Sequence, residues 1–493
     1  MGQHNEADLL ANVPDSLFIG GKWVPASSGA TFAVDNPATG KALVEVADAT
    51  GDDGKLALDA ASDAAKDWAQ TAPRARGEIL RRAFDLVIRH RDEVALLMTL
   101  EMGKPLAESQ GEVTYGAEFL RWFAEEAVRI TGHYGIPPEG TGRMIVTNRP
   151  VGPSYLITPW NFPLAMATRK IAPALAAGCT VVVKPAALTP LTTLYVVRLL
   201  VEAGLPPGVV NVVTTTNPKA ITEAIIGDPR LRKLSFTGST EVGRTLLGQA
   251  AGGILRTSME LGGNAPFVVF DDADLDSAVD GAMKAKFRNI GQACTAANRF
   301  LVHEDVAEEF VRRITAKVKD LKVGAGTDDG VSIGPLINPD AVDKVTELVD
   351  DAVARGATLC TGGSKVDGPG YFVQPTVLSN VADGSKLLDT EIFGPVVAVS
   401  TFGTEEQAVS MANDTVYGLV SYVYTRDLAR GQRMIDALDT GMMGLNVGVV
   451  SNAAAPFGGV KQSGIGREGG AEGIREYLDT KYVLTAEPSD WPV

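Results

Sequence analysis

SYLIT at 154–158, TVVVKP at 180–185, VVNVVT at 209–214 and KLSFTG at 233–238 are short apolar runs rich in β-branched residues, and stretches of helical composition separate them. Strands buried on both faces read as unbroken apolar runs, and their alternation with helices is the grammar of a parallel α/β sheet. The stretch 191–203, closed by Gly204 and followed by Pro206 and Pro207, is the clearest crossover helix. A second α/β section begins after Gly262 and Gly263. There RFLV at 299–302 reads as a strand, and the segment after it sets Val306, Phe310, Ile314, Val318 and Leu321 at helical spacing. Upstream, Ile79, Leu80, Ala83, Phe84, Val87 and Ile88 make one apolar stripe, which predicts a single helix over 76–102 ended by Gly103 and Pro105. TGGSKVDGPG at 361–370 is a surface loop by composition. Two α/β domains are expected, with no internal repeat.

A chain of 493 residues is long enough for two or three domains with ample core. With 45% hydrophobic and 21% charged residues it has the composition of a folded globular protein. Its formal net charge of −15 argues against the broad basic surface of a nonspecific nucleic-acid binder. The three cysteines, Cys179, Cys294 and Cys360, form no C-x2-C pair, and four histidines supply no zinc pattern. So sparse and odd a count fits reduced thiols. MGQHNEADLLANVPDSLF at the amino terminus has no apolar core of signal-peptide length, and nowhere do about 18 uncharged apolar residues run together. A cytoplasmic protein without membrane or nucleic-acid partners and without a metal is expected.

Several motifs bear on chemistry. A literal G-x-G-x-x-G at Gly464, Gly466 and Gly469 follows PFGGVKQSG, not a strand, and too little chain follows it for a βαβ unit, so a tight structural turn is expected. FTGSTEVG at 236–243 ends a strand in Gly238 and Ser239. It reads either as a helix N-cap or as an anion-binding turn, where glycine lets backbone N–H groups approach and the helix adds positive potential. Lys184, at the end of the TVVVK strand, sits where open α/β sheets bind ligands. Cys294, in FRNIGQACTAANRF, lies between Arg288 and Arg299, and cationic neighbours favour the reactive thiolate. The other reading is a buried structural thiol, which fits Cys179 and Cys360 better. Glu260, in MELGGNAP, follows an apolar patch, where a carboxylate short of water acts as a general base. Otherwise it is simply solvated.

ITPWNFP (157–163), KPA (184–186), FTGST (236–240), MELGGNAP (259–266), GQAC (291–294), EIFGP (391–395) and PFGG (456–459) stand in one order along the chain. Together they closely resemble the NAD(P)-dependent aldehyde dehydrogenase superfamily. The resemblance implies two Rossmann-like parallel-sheet domains and a small β oligomerisation element. A cofactor-binding domain would take residues 1–131 and 152–260, a catalytic domain 261–479, and the oligomerisation element 132–151 and 480–493, giving a homodimer or homotetramer. It implies that Cys294 is the nucleophile, Asn161 the oxyanion donor and Glu260 the base that activates water to hydrolyse a thioester. For NAD or NADP it implies Lys184 on the adenosine ribose, Gly238 and Ser239 beside the pyrophosphate, and Glu391 on the nicotinamide ribose. Phe393 would lie against the nicotinamide, with Trp160 and Leu261 in the same cleft. Members preferring NAD often carry Glu three residues after the lysine. Ala187 stands there in this chain, so NADP is permitted. Thr215 stands where the family often has Gly.

FLRWFAEE (119–126), MATRK (166–170), KFRN (286–289) and SNAAAPFGG (451–459) are similar to the succinate-semialdehyde dehydrogenase branch of that superfamily. This implies that Arg169 and Arg288, with Ser451 as hydroxyl partner, clamp the distal carboxylate of an aldehyde substrate; the alternative is that the arginines make structural ion pairs. Ala296 replaces the second cysteine of members with a redox disulfide, so that switch is expected to be absent. Glutarate semialdehyde or an uncharged aliphatic aldehyde is the rival substrate. A coenzyme-free cysteine esterase is the rival reaction.

Overall fold

A computed structural model describes residues 6–486. Two parallel sheets form the frame. The first holds β1 (Ser154–Ile157), β2 (Val181–Lys184), β3 (Val210–Val212), β4 (Lys233–Thr237) and β5 (Arg256–Glu260). They lie parallel in the order β3-β2-β1-β4-β5, with the antiparallel strands Leu17–Ile19 and Lys22–Val24 beyond β3. The four apolar runs are thus β1 to β4, and β1–β4 are buried at every position because helices cover both faces. The strand order reverses direction between β1 and β4. A crevice outside the carboxyl ends of these two strands is the expected ligand site.

The second sheet holds β6 (Ala265–Val269), β7 (Ala297–His303), β8 (Thr376–Ser379), β9 (Val396–Phe402), β10 (Val420–Tyr424) and β11 (Met442–Leu445). These run parallel in the order β8-β9-β7-β6-β10-β11, with Thr358–Thr361 antiparallel on β8. Only Leu261–Asn264 separates β5 from β6. The carboxyl end of one sheet therefore meets the amino end of the other, and the site forms at that seam.

The stripe predicted to be one helix over 76–102 is two, α1 (Pro73–Arg89) and α2 (Arg91–Met102). The break is at His90, whose ψ of 22° leaves helical geometry and whose Nδ1 lies 2.7 Å from Glu93 Oε2. Both helices bury residues in the same core, so the apolar period continues across a break that composition does not mark, while Ile88 turns out to the surface. Next come α3 (Leu106–Glu126) and α4 (Pro163–Ala177). Every residue of α4 is buried; Pro163 opens it and Gly178, at φ +96°, closes it. The expected crossover helix is α5 (Leu191–Glu202), and α6 (Thr240–Gly252) starts directly after β4.

The G-x-G-x-x-G stretch is not only a turn. Gly464–Ile465 forms a two-residue edge strand antiparallel to β5, with Gly464 opposite Glu260. A Cβ on Gly464 would stand 2.0 Å from the Met259 carbonyl oxygen, so glycine is required for this approach.

A separate three-stranded sheet joins Leu478–Thr485, Arg143–Pro150 and His133–Gly135. Tyr134, Ile136, Tyr482 and Leu484 on and beside it are each more than half exposed. The tail of the expected oligomerisation element, 487–493, lies outside the described residues. No helix among the described residues is long and apolar enough to cross a membrane.

Candidate active site

A cavity of about 340 Å³ opens at the predicted crevice. Pro159, Trp160 and Asn161 reach it from the end of β1, and Thr237, Gly238 and Ser239 from the end of β4. The seam contributes Leu261 and Gly262, while the second sheet contributes Cys294 ahead of β7 and Glu391, Ile392 and Phe393 ahead of β9. The structure therefore brings together Trp160, Asn161, Gly238, Ser239, Leu261, Cys294, Glu391 and Phe393. Lys184 and Ala187, at the end of β2, lie outside the wall of this cavity, as do Glu260, Arg169, Arg288 and Ser451.

Cys294 is half-buried and follows a tight loop in which Asn289, Ile290 and Gly291 all have positive φ. That loop is held from outside. Glu108 Oε2 accepts from the Asn289 N–H at 2.6 Å, and the Asn289 side-chain amide donates to Asn161 O and Gln292 O. The Asn161 side chain is fixed by two bonds: its Oδ1 accepts from the Phe162 N–H at 3.1 Å, and its Nδ2 donates to Gln292 O at 3.1 Å. An amide nitrogen has a second N–H, left here for the cavity that Asn161 shares with Cys294. Lys104 Nζ donates to Asn161 O at 2.8 Å and pairs with Glu112 at 2.5 Å. Glu112 in turn accepts the free N–H groups of Leu164 and Ala165 at the start of α4.

Two sequence expectations about Cys294 change. Arg299 does not face the thiol; its guanidinium donates to the carbonyls of Asn264, Met411 and Ala412, a structural tie across the second sheet. The cations acting on Cys294 are Arg169 and Arg288, and they do not prevail. Burial pushes the thiol up to about 12, with Glu391 and Glu260 adding to the rise.

Glu260 is 3% exposed, and its Oε2 has no hydrogen-bond partner among the described residues. Burial, and then the nearby charge of Glu468, raise it well above the usual carboxylate range. Glu468 was not singled out in the sequence. It binds Arg169 Nε at 2.6 Å and Lys170 Nζ at 2.5 Å, and those cations hold its own carboxyl low against the effect of burial.

The remaining residues fall into two groups. On the cavity side, Trp160 and Phe393 meet edge to face with centroids 5.3 Å apart. Glu391 Oε1 accepts from the Gly263 N–H at 3.1 Å while burial raises its carboxyl to about 7, and its carbonyl accepts from Lys344 Nζ at 2.7 Å. Ser239 caps α6 through Val242 N–H at 3.4 Å, so the positive end of α6 points at the cavity. Lys184 Nζ donates to Pro185 O at 3.3 Å, and burial lowers it to about 8. Thr215 Oγ1 is bonded to Asp48 and the Ala49 carbonyl.

Outside the cavity wall, Arg169 lies fully buried in α4, stacked 4.1 Å above the Phe457 ring. The alternative reading of this arginine as an ion-pair partner is half met, since Nε is committed to Glu468. Its Nη1 has no partner among the described residues. The Arg288 guanidinium stands 5.0 Å from the Phe162 ring, and its Nη1 donates to Ser451 Oγ at 3.4 Å.

The cavity fits a dinucleotide. It lies at the strand-order reversal, and the N-terminus of α6, with Gly238 and Ser239 in the cavity wall, faces it where phosphate oxygens would sit.

Comparison with known proteins agrees. The profile described as "Aldehyde dehydrogenase family" matches residues 23–483. A succinate-semialdehyde dehydrogenase of Paenarthrobacter nicotinovorans is 59% identical over 90% of this chain and 99% of its own length. The NADP(+) succinate-semialdehyde dehydrogenase GabD of Escherichia coli is 48% identical over 97% of this chain and 98% of its own. The crystal structure of succinate-semialdehyde dehydrogenase from Burkholderia pseudomallei superposes with a TM-score of 0.96 at 48% identity, covering 99% of this chain and 100% of that one.

Proposed function

The chain belongs to the aldehyde dehydrogenase family, and from that premise we propose that it oxidises succinate semialdehyde to succinate, with Cys294 as nucleophile. It is an NAD(P)-dependent oxidoreductase. Cys294 Sγ attacks the aldehyde carbon, and the thiol proton leaves to a base as the bond forms. The second N–H of Asn161, with the Cys294 backbone N–H, takes the charge that develops on the aldehyde oxygen. The bound nicotinamide supplies the hydride acceptor. Glu260 then takes a proton from the water that attacks the resulting Cys294 thioester, a task that its raised carboxyl and dry surroundings suit. Gly238, Ser239, Glu391 and Phe393 would hold the coenzyme along the cavity, with Trp160 and Leu261 as walls, and Lys184 would meet it beyond that wall at the end of β2. Ala187 offers no carboxylate against a 2′-phosphate, so either coenzyme is admitted.

The observation that carries the substrate assignment is that Arg169 and Arg288 lie near enough to Cys294 to act on its charge while standing outside the wall of the cavity that Cys294 lines. A short aldehyde bound at Cys294 would present its distal carboxylate to them, with Ser451 as a further donor. The unpaired cysteines support a reducing, cytoplasmic setting, and the small exposed sheet supports a homodimer or homotetramer.

Two variants test the chemistry. Cys294→Ala should abolish aldehyde oxidation yet still bind coenzyme in a fluorescence titration. Glu260→Gln should give one burst of reduced coenzyme and then stall, with a succinyl adduct on Cys294 in intact-mass spectra. Steady turnover by either, without an adduct, contradicts the assignment.

A further inference from the structure

Tyr115 lies on α3, its ring edge-on to Phe119 with centroids 5.0 Å apart. It leans on a small apolar cluster that includes Phe162, Ala293 and Ala296, and the last two flank Cys294 in the chain. Its hydroxyl oxygen is sealed from solvent and has no hydrogen-bond partner among the described residues. Buried hydroxyls are almost always partnered, so an orphan beside the nucleophile calls for a reason.

The neighbours supply one. The Arg288 guanidinium is 5.9 Å from the Tyr115 ring centre, and Arg169 lies within electrostatic reach of the phenol. Guanidinium groups only donate, so neither can accept the phenol proton. Glu468, the nearby acceptor, is spent on Arg169 and Lys170. Arg169 Nη1 is orphaned as well. Tyr115 Oη and Arg169 Nη1 are thus two buried donors left without an acceptor, and a carboxylate has the lone pairs to take several donors at once.

We propose that the Tyr115 hydroxyl is a substrate-binding donor that acts with Arg169 and Arg288 and selects aldehydes ending in a carboxylate. The inference rests on the arginine-clamp reading and adds to it a neutral donor that fixes where the carboxylate sits. An uncharged aldehyde offers the hydroxyl nothing, so the residue acts on choice of substrate and not on the chemical step.

Tyr115→Phe removes one oxygen and keeps the packing; unfolding curves establish that it folds. The assay compares kcat/KM for succinate semialdehyde with that for butanal, in the unaltered protein, Tyr115→Phe and Arg288→Gln. The expected result is a fall of about tenfold in selectivity for Tyr115→Phe, through KM for the anionic aldehyde. If Arg288→Gln loses selectivity while Tyr115→Phe keeps it, or if Tyr115→Phe weakens both aldehydes equally, the inference about Tyr115 is overturned and the clamp stands. An unaltered protein that does not prefer the anionic aldehyde overturns both.

Discussion

Lys104 shows how much of the site depends on a residue far from the reacting atoms. Its ammonium is 1% exposed and joins Glu112 to the Asn161 carbonyl, so one charge ties the start of α4 to the residue proposed to hold the oxyanion. Lys104→Met would leave Glu112 charged and buried without its partner. The expected cost is about 3–5 kcal/mol, read as a fall in the denaturation midpoint, with kcat reduced as Asn161 loses its tie. A variant as stable as the parent would show that the pair is not worth keeping. The Cys294 thiol gives a second test. With its pKa pushed up to about 12, the thiolate fraction at neutral pH is small and grows as pH rises. Alkylation of Cys294 in the coenzyme-free protein, followed by peptide mass spectrometry, should accelerate about tenfold per pH unit from pH 7 to 9. A rate already level at pH 7 would mean that the arginines prevail over burial. The sequence singles out Cys294, Glu260 and Asn161 because each stands in a dense local motif, and the structure puts two of them, Asn161 and Cys294, in the wall of one cavity. Glu468 and Tyr115 are not legible there, because what matters about them is a neighbour about 300 or 50 residues away, a distance that no local spacing encodes.

At the level of elements, the order β3-β2-β1-β4-β5 places the ends of β1 and β4 side by side, and the apolar runs predicted those strands well. The sequence could not say which strand ends would adjoin, since pairing order is a tertiary property. It likewise hid the break between α1 and α2, where one core holds both helices in phase. The G-x-G-x-x-G stretch stands outside the wall of the cavity, and its role appears only from the pairing of Gly464 with Glu260. Gly464 has φ +144° and no space for a Cβ. Gly464→Ala should therefore push the edge strand off β5, cost about 1–3 kcal/mol of stability and lower the hydrolytic step through Glu260. The readout is a larger ratio of coenzyme-reduction burst to steady-state rate. A variant with parental stability and kinetics would show that the edge strand does not position Glu260.

For the whole molecule, two sheets joined through Leu261–Asn264 create one seam, where Cys294 lines the coenzyme cavity and Arg169 and Arg288 stand outside its wall. The exposed side chains Tyr134, Ile136, Tyr482 and Leu484 belong to the small third sheet, the surface proposed to meet other copies of the chain. Sedimentation velocity should find a dimer or tetramer, and Tyr482→Glu with Leu484→Glu should shift it toward monomer. A parent that sediments as a monomer contradicts that reading. The central claim is that Arg169 and Arg288 select a distal carboxylate. Its most direct test is kcat/KM for succinate semialdehyde against butanal with the unaltered protein, with NAD+ and NADP+ in parallel. The prediction is a preference of about 100-fold or more, equivalent to about 2.7 kcal/mol of transition-state binding. Near equality of the two aldehydes would contradict it, and would leave Arg169 and Arg288 as structural residues of a general aldehyde dehydrogenase.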